Sequence, residues 1–111
     1  MGIIYNRLKD LNAAETQEIK RLTEIAYEKF LRDFKKSKLI VDVHKFEKLG
    51  ARAKYSIHLR LEDPSILLTA EEADWELPKA LHKTIANLEE EVRKKVKKEI
   101  SGKSGPKPFL E

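Results

Sequence analysis

Residues 52–98, RAKYSIHLRLEDPSILLTAEEADWELPKALHKTIANLEEEVRKKVKK, decide the fold. Ala53, Tyr55, Ile57, Leu59 and Leu61 alternate without a break with Lys54, Ser56, His58, Arg60 and Glu62, the period of two of a strand with one buried and one wet face. Asp63, Pro64 and Ser65 supply turn chemistry, so residues 66–70 are expected to return as an antiparallel partner strand. Beyond them the period changes to that of a helix. Leu81, Ile85, Leu88, Val92 and Val96 fall on one side of it, and it is expected to run to about Ile100. Asp74 is expected to cap its start, with Pro78 tolerated in the first turn.

The N-terminal half follows the same logic. Residues 2–8, apolar around Ile3, Ile4 and Tyr5, suit a short strand. Asn12 and Glu15 have the spacing of a capping box, and Leu11 stands where a hydrophobic staple would. The helix they open keeps Ile19, Leu22, Ala26, Phe30 and Phe34 on its inner side, and Lys35 and Lys36 meet the negative end of its dipole. Residues 39–46 read as a strand with Leu39, Val41 and Val43 on one side and Asp42 and His44 on the other, and Gly50 marks a turn. The order is β-α-β-β-β-α. An α+β two-layer sandwich, with both helices on one face of a four-stranded sheet, buries every apolar face. Residues 1–100 are assigned to one domain, and residues 101–111, rich in Gly, Pro, Ser and Lys, to a flexible basic tail.

Composition narrows the chemistry. A 111-residue chain that is 41% hydrophobic builds one modest core, and its formal net charge of +4 suits a polyanionic partner without demanding one. With no cysteine there is neither a disulfide framework nor cysteine-ligated zinc. No apolar run reaches the roughly 20 residues of a membrane span and the first residues are unlike a signal peptide, so no membrane partner and a cytoplasmic location are expected.

Charge is patterned on both helices. On the last, Lys79, Lys83, Lys94 and Lys97 lie opposite the apolar side, with Arg93 nearer the edge, while Glu89 and Glu91 rotate toward the flanks and Glu90 interrupts the stripe. On the first, Arg21, Lys29, Arg32 and Lys36 share a sector beside Glu24 and Glu28. Two such sectors are expected to form one phosphate-reading surface. An enzyme is not expected: no nucleophile has a base and orienting partner at motif spacing. His44 and His58, with only Asp42 nearby, make a poor metal site, and His82 reads as a surface residue. No cofactor and no small-molecule substrate are expected. Gly102, Lys103 and Ser104 lack the upstream glycine of a phosphate loop. Trp75 and Tyr55 are expected to pack at a helix start or in the core rather than to stack on bases.

Three segments carry a family resemblance: DLNAAE at residues 10–15, HKFEK at 44–48 leading into AKYSIHL at 53–59, and LTAEEADW at 68–75 followed by Ala80, Leu81, Ile85, Leu88 and Val92. Together these resemble the ribosome hibernation-promoting factor family, also called the ribosome-associated inhibitor or sigma-54 modulation family. The resemblance implies a fold similar to double-stranded-RNA-binding domains and binding to the small ribosomal subunit near the tRNA and mRNA sites, which blocks translation and protects idle ribosomes. Carried over by position, Lys79, Lys83, Arg93, Lys94 and Lys97 would contact small-subunit ribosomal RNA. The acidic run at 89–91 departs from the more basic or neutral residues of the family. With no second dimerisation domain in this sequence, a short-form member is expected. Two rival readings are a generic double-stranded-RNA module, and a protein-interaction module or homodimer using the open sheet face around Lys54, His58 and Arg60.

Overall fold

Alternation in the strands and the 3.6-residue period of the helices leave each element with one apolar face, and the fold joins those faces. The computed structural model describes residues 2–47 and 53–103. Strands β1 (Gly2–Asn6), β2 (Lys38–Glu47), β3 (Ala53–Asp63) and β4 (Ile66–Asp74) form one sheet in the order β1-β2-β3-β4. Helices α1 (Ala13–Asp33) and α2 (Leu77–Lys103) pack on the same side of it. This is the expected α+β sandwich. The sheet is mixed: β1 and β2 are parallel, as a crossover through α1 requires, while β2-β3 and β3-β4 are antiparallel.

The core lies between the layers. Leu39, Val41, Val43, Ile57, Leu59 and Leu61 of the sheet and Ile19, Phe30, Leu81 and Leu88 of the helices are fully buried there or nearly so. Thr23 and Thr84 also fall on the inner helix faces, and each hydroxyl is satisfied by the carbonyl four residues earlier, of Ile19 at 2.7 Å and Ala80 at 2.6 Å. Because Thr23 donates to Ile19, the Tyr5 phenol donates to Thr23, at 2.9 Å. Tyr27 donates to Ser37 O and accepts from the Gly2 amide, which ties α1 to the start of β1 and to the residue that leads into β2.

Several boundaries moved. β1 ends at Asn6 rather than Leu8, because Arg7 takes a left-handed backbone (φ 64°) and a single 3-10 turn, Leu8–Asp10, carries the chain to α1. β4 runs through Asp74, four residues beyond Ala70, since Glu71 to Asp74 stay paired with β3. Asp74 is therefore not the cap of α2; its Oδ1 instead accepts from the Glu76 amide at 3.1 Å, closing a turn between strand and helix. α2 continues to Lys103. Residues 101–103 of the tail expected over 101–111 thus belong to α2, while its remainder from residue 104 on, and the turn expected at Gly50, lie outside the described residues.

The capping box at the start of α1 forms, and it reaches further than its helix. Glu15 Oε1 accepts from the Asn12 amide at 3.0 Å and pairs with Lys45 of β2 at 3.4 Å, while Oε2 accepts from the Tyr55 hydroxyl of β3 at 2.5 Å. Burial raises the Glu15 pKa, but the Tyr55 hydroxyl, the Asn12 amide and Lys45 together outweigh it, so the net direction is down. A depressed carboxylate stabilises the fold above its unfolded value, near 4.5, and loses that contribution as pH falls through its folded value. Glu15→Gln, which can keep the capping geometry, is expected to cost roughly 1 kcal/mol at pH 7. The difference from the parent should narrow in urea unfolding at stepped pH as the pH falls below the unfolded value of 4.5 and through the lowered folded one.

Candidate nucleic-acid interface

α1 and α2 lie side by side and run in the same direction. Leu22 and Ile25 share a groove with His82 and Ile85, and further along Lys29, Phe30 and Asp33 share another with Val92, Arg93, Val96 and Lys97. Their outer sectors are therefore adjacent. Arg21, Lys29, Arg32, Lys36, Lys79, Lys83, Arg93, Lys94 and Lys97 are all exposed.

The structure divides these cations into two groups. Lys79 pairs with Glu76 at 3.9 Å, Arg21 with Glu18 at 3.1 Å, and Arg93 with Glu90. Lys29 reaches across to Glu89 at 3.5 Å. Lys83 is held more firmly: its ammonium lies 3.0 Å from Asp74 Oδ2 and donates to the Ala73 carbonyl at 3.3 Å, pinning the end of β4 to α2. The Lys83 hydrogen bond and then the Glu76 amide hold the Asp74 pKa below its ordinary value. Among the described residues, Arg32, Lys36, Lys94 and Lys97 make no ion pair.

This corrects the picture of acids turned aside. Glu89 does rotate to the flank of α2, but that flank faces α1, so its carboxylate sits in the seam between the two basic sectors. Only the neighbouring helix shows this. The cations left unpaired stand at one end of the layer: Lys94 and Lys97 in the later turns of α2, Lys36 in the turn that follows α1, and Arg32 in the last turn of α1, where it also complements the negative end of the dipole.

The uncovered sheet face carries a different set. Arg7 donates to His44 Nε2 at 2.7 Å, and its Nε lies 3.2 Å from Asp42 Oδ1, an ion pair without hydrogen-bond alignment. His58 stands opposite Asp42 and lies 3.6 Å from Glu71. The histidines thus share a face, but among the described residues no cluster of three potential ligands could hold a metal ion. Trp75, just past β4, lines a hollow with Glu15, Tyr55, Leu77 and Pro78 where both helices start, in keeping with packing at a helix start; it remains 40% exposed, and the Lys54 ammonium lies 5.8 Å from its ring centroid. Tyr55 points inward and bonds Glu15.

No protein-family model matches the chain, and no curated protein matches it. Among solved structures it is similar to a ribosomal subunit interface protein from Coxiella burnetii, with a TM-score of 0.57 and 19% identity over 85% of this chain and 96% of that one. It is also similar to the N-terminal domain of Protein Y from Thermus thermophilus, with a TM-score of 0.54 and 20% identity over 83% of this chain and 93% of that one. The chain shares their fold. At such identity the likeness is one of backbone architecture. No helix among the described residues is long and apolar enough to cross a membrane.

The division of the cations has a measurable consequence for stability. Lys94→Glu and Lys97→Glu change groups with no partner and are expected to shift the unfolding free energy by less than about 0.5 kcal/mol. Lys83→Glu sets a carboxylate against Asp74 and frees the Ala73 carbonyl. Its urea midpoint should fall clearly below those of the other two.

Proposed function

We propose that this protein is a ribosome-associated factor of the hibernation-promoting type, acting in the cytoplasm. It would bind the small subunit through ribosomal RNA and exclude tRNA or mRNA by occupying space, with no bond made or broken. One observation carries the reading: a backbone fold shared with a ribosomal subunit interface protein presents unpaired Arg32, Lys36, Lys94 and Lys97 at one end of two parallel helices.

The physics suits a polyanion. Lysines supply charge without base identity, and a rigid helix pair reads phosphates and 2′-hydroxyls by shape, as A-form RNA requires with its base edges hidden in a deep groove. The paired cations remain available, because an exposed ion pair contributes only about 0–1 kcal/mol and exchanges readily for phosphate. Lys29, Arg93, Arg21 and Lys79 fall in that class. Lys83, with two partners, contributes mainly by fixing the surface on which the others stand.

Cosedimentation with ribosomal particles tests this. The parent is expected to pellet with small subunits at low salt, and the fourfold variant Arg32→Glu, Lys36→Glu, Lys94→Glu, Lys97→Glu to stay in the supernatant while remaining folded by circular dichroism. By analogy with duplex DNA, where each neutralised phosphate contributes about −0.9 to the slope of log affinity against log salt, four contacts give a slope of about −3 to −4. Equal affinity for any RNA duplex would favour a generic duplex-binding module. Absence from all particles at low salt would remove the reading.

A further inference from the structure

The groove between the later turns of the two helices has a lining that core packing does not explain. Phe30 of α1 and Val92 and Val96 of α2 supply its apolar floor. On α2, Glu89, Arg93 and Lys97 follow one another at intervals of four along one wall, and Lys29 and Asp33, at the same interval on α1, line the other. The ion pair of Lys29 with Glu89, at 3.5 Å, joins the walls at one end. At the other end α1 stops at Asp33 while α2 continues to Lys103. The volume of about 640 Å³ lies within the roughly 300–1,000 Å³ usual for small-molecule sites.

The polar groups around the open end are uncommitted. Asp33 makes neither an ion pair nor a hydrogen bond among the described residues, although it is the last residue of α1, where the helix dipole disfavours an acid. Lys97 makes no ion pair either, and Arg93 pairs with Glu90 of its own helix in an exposed contact of the kind that exchanges readily. An apolar slot therefore carries a free acceptor on one wall and two cations on the other.

We propose that this groove binds a guanine nucleotide, with the base over Val92 and Val96, its N1–H and exocyclic amino group donating to the two Asp33 carboxylate oxygens, and the phosphates on Arg93 and Lys97. Guanine offers two adjacent N–H donors to match the two oxygens of a carboxylate. Adenine and cytosine set one amino group beside an acceptor nitrogen, which a carboxylate repels. A fatty acid would suit the floor and the cations but leave Asp33 unpaired, and a bare phosphate would use neither the floor nor Asp33. The inference needs no ribosome and does not rest on the function proposed above.

The chain has four valines, two in this groove and two, Val41 and Val43, buried under the sheet, so valine methyl signals report the site together with an internal control. The full chain, labelled at the valine methyls, is titrated with guanosine diphosphate and followed by NMR. Saturable shifts of Val92 and Val96 are expected, with Val41 and Val43 unmoved. Adenosine diphosphate should bind roughly ten- to a hundredfold more weakly, the discrimination that one bidentate contact supplies. Asp33→Asn should abolish that preference, and Lys97→Glu should weaken both nucleotides; urea midpoints check that each variant is folded. No saturable shift at millimolar guanosine diphosphate, equal affinity for the two nucleotides, or a preference that survives Asp33→Asn would each overturn the proposal. Equal shifts from pyrophosphate alone, or tighter binding of dodecanoate, would also overturn it.

Discussion

The structure depends on one constraint: a single face of the sheet holds the whole core. Leu39, Val41, Val43, Ile57, Leu59 and Leu61 are covered by Ile19, Phe30, Leu81 and Leu88, and each such side chain contributes on the order of 1.5–3 kcal/mol by leaving water. Strand residues alternate, so burying one face on the helices commits the other face to solvent. Helices that spend their apolar sectors on the sheet must turn their polar sectors outward. Both surfaces considered for binding are the remainders of this one packing decision. Glu15 reinforces it by tying the first turn of α1 to β2 and β3, which holds the helix at a defined place on the sheet.

Charge was then distributed by proximity. Lys29 and Glu89 belong to different helices, 60 positions apart in sequence, and meet because α1 and α2 run side by side. Lys83 meets Asp74 because β4 extends to the foot of α2. Such pairs lower the field over the earlier turns of the helix layer and leave it strongest over the later ones, where Arg32, Lys36, Lys94 and Lys97 stand. A basic stripe counted on a helical wheel becomes a smaller cationic end, which is a more restricted platform for phosphate.

The two faces call for different chemistry. Outer helix surfaces offer long flexible cations, which bind by counterion exchange and tolerate many RNA shapes. The open sheet offers histidines and charged side chains paired among themselves, Arg7 with Asp42 and His44, and His58 with Glu71, beside the exposed Phe46 ring. Phe46 shares its parity with Asp42 and His44, so its outward position was readable along β2.

Periodicity by itself determined the element order, the inner faces of β2, β3 and both helices, the capping box at Asn12 and Glu15, and the exposure of the nine cations singled out on the helix layer. These are local properties, set by the geometry of two and of 3.6 residues per repeat. Tertiary structure alone decided that Asp74 ends a strand and anchors Lys83, that Glu89 enters the seam between helices, and that Lys54 reaches over the Trp75 ring. Each of these depends on which elements become neighbours, and side chains from separate elements acquire partners only when the shared core has brought their backbones together.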